Sequence, residues 1–105
     1  MNADTVRKLA TSLPDVTEEP HFHFTSFRID GRIFATMPPS GVLLHVFVSE
    51  VDRELAVAAY PDVCEMLHWG KRLVGVKIDL KAAADDLVET LVRAAYDDKA
   101  SHDAK

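Results

Sequence analysis

The dipeptide Asp30-Gly31 lies between two runs in which apolar and polar residues alternate, and it constrains this chain more than any other feature. Upstream, Thr25, Phe27 and Ile29 alternate with Phe24, Ser26 and Arg28; downstream, Ile33, Ala35 and Met37 share one side of a second run. Alternation with a period of two belongs to a strand with one buried face. Asp-Gly accepts positive φ at both central positions of a tight turn, as a two-residue connection requires. A hairpin from His21 to Met37 follows.

The surrounding patterns build on it. Pro38-Pro39-Ser40-Gly41 breaks the chain, after which Val42, Leu44, Val46 and Val48 oppose Leu43, His45 and Phe47, extending the hairpin into a three-stranded meander. Cys64 to His68 and the alternating Val74, Val76, Ile78 and Leu80 predict a second hairpin, interrupted by Trp69-Gly70-Lys71-Arg72. Helical spacing appears three times. Val6, Leu9, Ala10 and Leu13 form a stripe after a capping Asp4; Val51, Leu55, Ala58 and Ala59 form one after a capping Ser49; Leu87, Val88, Leu91, Val92 and Ala95 form the third, over about Ala83 to Asp98. Pro14 ends the first helix, and the polar run Asp15 to Pro20 reads as a loop. The expected order is α-β-β-β-α-β-β-α: an α+β fold with a mostly antiparallel sheet and helices on one face. The 105 residues form one domain, 1–105, with a core of about 5–98 and a frayed tail at 99–105.

Composition narrows the function. A net charge of −5 opposes attachment to nucleic acid over a broad basic surface, although Arg28, Arg32, Lys71, Arg72 and Lys77 concentrate in the middle of the chain. No apolar run approaches the roughly 20 residues that span a bilayer. The start, Met1-Asn2-Ala3-Asp4-Thr5, lacks a basic and apolar leader, and the single Cys64 has no disulfide partner, so a cytoplasmic location is expected. Cys64 reads as a structural, half-buried cysteine. Gly-rich phosphate loops, nucleophile elbows and paired metal motifs are absent from the sequence, so no enzyme activity and no cofactor are expected.

Two stretches resemble the MmcQ/YjbR family. One is Leu13-Pro14-Asp15-Val16-Thr17-Glu18-Glu19-Pro20 leading into Phe27-Arg28-Ile29-Asp30-Gly31-Arg32-Ile33-Phe34-Ala35; the other is Trp69-Gly70-Lys71 leading into Val76-Lys77-Ile78-Asp79-Leu80. The resemblance covers about residues 5 to 98. It implies a fold similar to the CyaY/frataxin-like, double-wing arrangement, a bacterial-type protein and a role in binding DNA.

The candidate residues sit at the hairpin tips. Arg28 and Arg32 flank Asp30-Gly31, and Lys71 and Arg72 follow Trp69. Guanidinium forks suit phosphate oxygens, and an exposed tryptophan stacks on an unpaired base. Four phosphate contacts give a salt slope of about −3 to −4. The rival reading is a protein-interaction or small-ligand module in which Trp69, Tyr60, Phe22, Phe24, Phe34 and His45 form an apolar patch. His21 and His23, two apart in an extended segment and preceded by Glu18 and Glu19, would share a face and are the candidates for a metal; with no motif supplying further ligands they read as packing or hydrogen-bonding residues, and no metal site is expected. Asp85, Asp86, Glu89, Asp97 and Asp98 read as the solvated face of the last helix.

Overall fold

A computed structural model describes residues 1–103. Its elements are α1 (Ala3–Ser12), β1 (Val16–His21), β2 (Phe24–Ile29), β3 (Arg32–Met37), β4 (Leu43–Val46), α2 (Glu50–Ala59), β5 (Cys64–Trp69), β6 (Arg72–Asp79) and α3 (Asp85–Asp103). Asp30 and Gly31 have φ of +50° and +78°, so the turn between β2 and β3 has the backbone its dipeptide favours. Every neighbouring strand pair is antiparallel, in the order β1-β2-β3-β4-β6-β5. The chain meanders through four strands, leaves through α2, lays β5 at the far edge and returns as β6 beside β4. The α+β class and the one-sided helices hold.

One strand more is present than the patterning indicates. Val16–His21, expected as a loop, pairs along its whole length with β2, from Val16 opposite Ile29 to His21 opposite Phe24. Its residues are mostly exposed, so it lacks the apolar alternation of a half-buried strand. Two glutamates and Pro20 are suited to an edge, where they discourage further pairing. The extended stretch read as starting at His21 is therefore split by a turn at Phe22-His23, and His21 closes β1 while Phe24 opens β2.

One hydrophobic cluster joins the sheet to all three helices: Phe27, Phe34, Leu44, Val46, Val76 and Ile78 from the strands meet Val6, Ala10, Ala56, Val88, Val92 and Ala95. Each large aliphatic or aromatic side chain fully withdrawn from water contributes about 1.5–3 kcal/mol. Asn2, rather than Asp4, caps α1, its Oδ1 accepting from Thr5 N at 2.8 Å. Ser49 caps α2 as its sequence indicates. The buried side of α2 is not the expected one. Val51 and Leu55 are 66% and 63% exposed, while Ala56 is buried and Arg53 and Val57 are half-buried. Apolar residues occupy 55 to 59 without interruption, so periodicity cannot select a face, and the small Ala56 is the residue admitted against the core. At the other end of the chain α3 continues past Asp98 to Asp103, through positions expected to fray; residues 104 and 105 lie outside the described residues.

The two tips share a construction. A bulge falls at Phe34, between the pairs Phe27–Ala35 and Arg28–Ile33, and another at Val74, between Leu67–Gly75 and His68–Leu73. Each lies on the third residue of a strand that begins with arginine, Arg32 or Arg72. Bulges sharpen the local twist and re-aim the side chains beyond them. The first also puts Ile33 opposite Arg28, off the face it was expected to share with Ala35 and Met37. Between these hairpins β4 is only 4 residues long, and the chain turns away at Phe47. A notch results at this end of the sheet.

Candidate functional site

The notch is a cleft of about 490 Å³, lined by Arg32 and Ile33 from β3, Phe47 after β4, Arg53 from α2, Trp69, Arg72, Leu73 and Val74 from the second hairpin, and Lys99 from α3. Four cationic side chains thus converge from four elements, and among the described residues no carboxylate lines the cleft. Arg53 lies on the buried stripe of α2; its Nη1 donates to Val48 O at 3.4 Å, while its buried Nε has no hydrogen-bond partner among the described residues. Trp69 is 52% exposed and is held edge-to-face on Phe47, with centroids 4.9 Å apart. Half of an indole is therefore open at the rim of a positive cleft, positioned by a buried phenylalanine.

A second cavity of about 300 Å³ lies on the opposite face of the sheet, lined by His21, Phe22, Phe24, Thr36, His45, Leu67, His68 and Trp69. Its placement follows from the pleat: Ala35 and Val46 point into the core, so their neighbours Thr36 and His45 point away from the helices. The rings of Phe24 and His45 lie 5.8 Å apart, and His45 Nδ1 is 3.4 Å from Thr36 Oγ1. Burial, and after it the Lys77 ammonium on the adjacent strand, lowers the His45 pKa, so its imidazole is neutral at neutral pH. Among the described residues no Lys, Arg, Asp or Glu lines this cavity.

Of the five tip residues singled out in the sequence, Arg32, Trp69 and Arg72 come together in the cleft. Lys71 is exposed in the turn beside them. Arg28 is elsewhere, with its Nε donating to Ser26 Oγ at 3.0 Å. Arg53 and Lys99 were missed. An arginine on the apolar stripe of a helix is a recognisable signal for the first, whereas only tertiary structure brings the second to this end.

The aromatic patch forms in part. Phe22, Phe24, His45 and Trp69 share the second cavity, but Phe34 is buried against Tyr96, and Tyr60 lies by Ala83 and Leu87. His21 and His23 do not share a strand face. The intervening turn, with Phe22 at φ +59°, sends His21 into the aromatic cavity and His23 to a separate hollow with Glu18 and Glu19. Among the described residues no three His, Cys, Asp or Glu side chains form a metal-holding group. The acidic side of α3 has local partners: Asp86 accepts from Leu87 N, Glu89 pairs with Arg93, and Asp98 accepts from Ser49 N. Cys64 is buried more fully than expected, and burial pushes its thiol pKa up, the opposite of an activated nucleophile.

A one-sided antiparallel sheet, with two arginine-headed hairpins framing a cleft at one end, defines a small α+β class. The chain belongs to the YjbR family, whose model matches residues 11–98. It is similar in structure to Deinococcus radiodurans protein DR2400, described as a crystal structure with the family-model domain DUF419, at a TM-score of 0.79 and 19% identity over 90% of this chain and 75% of that one. At this identity the likeness is one of fold. No curated protein matches the chain. Among the described residues no helix is long and apolar enough to cross a membrane.

Proposed function

We propose that this protein binds single-stranded nucleic acid in the cleft between its hairpin tips. The observation that carries the reading is the convergence of Arg32, Arg53, Arg72 and Lys99 around a half-exposed Trp69. Arg32 and Arg72 head the two hairpins and offer guanidinium forks to successive phosphates; Arg53 and Lys99 supply positive charge behind them. Trp69 offers a face to an unstacked base, the feature that favours a single strand over a duplex. Lys71 extends the same rim. The acidity of the whole chain fits this geometry, because attraction confined to one cleft needs no basic surface. A reducing, cytoplasmic setting fits the buried and unpaired Cys64.

Fluorescence anisotropy of a labelled single-stranded oligonucleotide, titrated across salt concentrations, tests the reading. Four phosphate contacts in a single strand give a log–log salt slope of about −3. Replacing Arg53, Arg72 and Lys99 together with Gln should abolish most of the binding and flatten that slope. Absence of binding at low salt, or binding indifferent to the triple substitution, would overturn it.

A further inference from the structure

Phe22 is unfavourable in two independent ways. Its φ is +59°, a region that side chains other than Gly, Asn and Asp rarely hold, and its side chain is 90% exposed. The other two tight turns meet the same backbone demand with suitable residues, Asp30-Gly31 in one and Gly70, at φ +61°, in the other. Phe22 takes no part in the hydrophobic core, and its one ring contact among the described residues is edge-to-face with the neighbouring His21, at 4.9 Å between centroids. The Phe22 ring stands instead at the mouth of the second cavity, together with Trp69, which also lines the cationic cleft.

We propose that the second cavity receives one nucleobase of the strand whose phosphates occupy the cleft, with Trp69 as the wall between them. This rests on the reading above that the cleft holds a nucleic acid strand. The two cavities divide the chemistry of a nucleotide. The cleft has four cations, while the pocket has aromatic rings, imidazoles and a hydroxyl, with no Lys, Arg, Asp or Glu among its described lining. A phosphate is thus favoured on one side of Trp69 and an uncharged planar ring on the other. At about 300 Å³ the pocket is at the small end of ligand sites, the scale of a single base and not of a paired or stacked set. Phe24 and His45 provide aromatic surface, and the Thr36 hydroxyl and neutral His45 provide a donor and acceptor for a base edge. Phe22, which meets the His21 ring edge-to-face and is otherwise exposed, adds a further aromatic face to the pocket for a base.

The test compares a short oligothymidylate with an abasic strand of the same length, using strand anisotropy together with the fluorescence of Trp69, the sole tryptophan. Both strands should bind, the thymidylate tighter by roughly 5- to 150-fold, the worth of one aromatic–base stack, with Trp69 emission changed by the base-bearing strand. Phe22→Gly and, independently, Phe24→Leu should remove most of that increment and leave abasic affinity unaltered. Gly is suited to the turn's backbone, so the first variant keeps the fold. Equal affinity for the two strands, or an increment untouched by both substitutions, would overturn the base pocket while leaving the phosphate cleft in place. If neither strand binds, the nucleic-acid reading itself fails, and the pocket proposal with it.

Discussion

Gly75→Ala is expected to destabilise the fold and to disturb the cleft at once. Gly75 lies in β6 at the point where that strand passes the end of β4. A Cβ built there would sit 1.9 Å from Val46 O, 2.9 Å from Val46 C and 3.0 Å from Phe47 Cα. Carbon–oxygen contacts are comfortable from about 3.3 Å, so the two backbones must separate by more than about 1 Å. The atoms in the way are main chain, next to the paired residues Val46 and Val76, and no rotamer change can relieve the clash. Overpacking of this kind costs about 1–3 kcal/mol, and a buried ladder group pulled from its partner about 1–3 kcal/mol more. Lower unfolded-state entropy returns about 0.4–1 kcal/mol. A net loss near 3 kcal/mol is a large fraction of the stability of such a domain, and corresponds to a fall in Tm of about 12–24 °C. Urea unfolding followed by circular dichroism measures the loss directly. A variant within about 1 kcal/mol of the parent would show that β4 and β6 are not in this close approach. The placement of Arg72 and Trp69 relative to Phe47 would then need another explanation.

Acid should destabilise the protein partly through His45. Its pKa is lowered in the fold from the ordinary 6.5, so below that value the unfolded chain binds a proton that the folded chain refuses; stability is full above it and falls as pH drops toward the folded value. Unfolding curves between about pH 7 and pH 5 should therefore be flatter for His45→Gln than for the parent, and equal slopes would refute the assignment. On α2, Leu55→Gln should change stability by less than about 0.5 kcal/mol, because this leucine is 63% exposed despite its apolar neighbours; a loss of 2 kcal/mol or more would mean that the stripe read from the sequence does face the core.

The parts of this fold that can be read from the sequence are those where local chemistry and tertiary demand agree. Asp30-Gly31 names its turn, Ser49 names its cap, and the alternation of Val74 to Leu80 names a strand because one side is buried. The edge strand Val16–His21 is hidden for the converse reason: a strand with little buried surface carries no apolar period, and its glutamates and proline are the residues of a loop. The face of α2 is hidden because too many of its residues are apolar, which removes the contrast on which the period depends. Arg32, Trp69 and Arg72 are visible as basic and aromatic residues at turns. Lys99 is not, since it lies far along the chain on a helix whose outer surface is acidic.

Two further departures from expectation fall together in space. The turn at Phe22-His23 is invisible because neither residue is one that such turns favour, and Arg53 breaks the apolar stripe it occupies. Had packing alone shaped these positions, a Gly at 22 and an aliphatic residue at 53 would satisfy backbone and core better. Both departures border one of the two cavities that share Trp69, itself a large aromatic left half in solvent. Local rules broken at unrelated sites would indicate a poorly optimised fold. Broken on both sides of one tryptophan, they fall where the proposed strand would lie, with its phosphates on the arginine side and a base on the phenylalanine side.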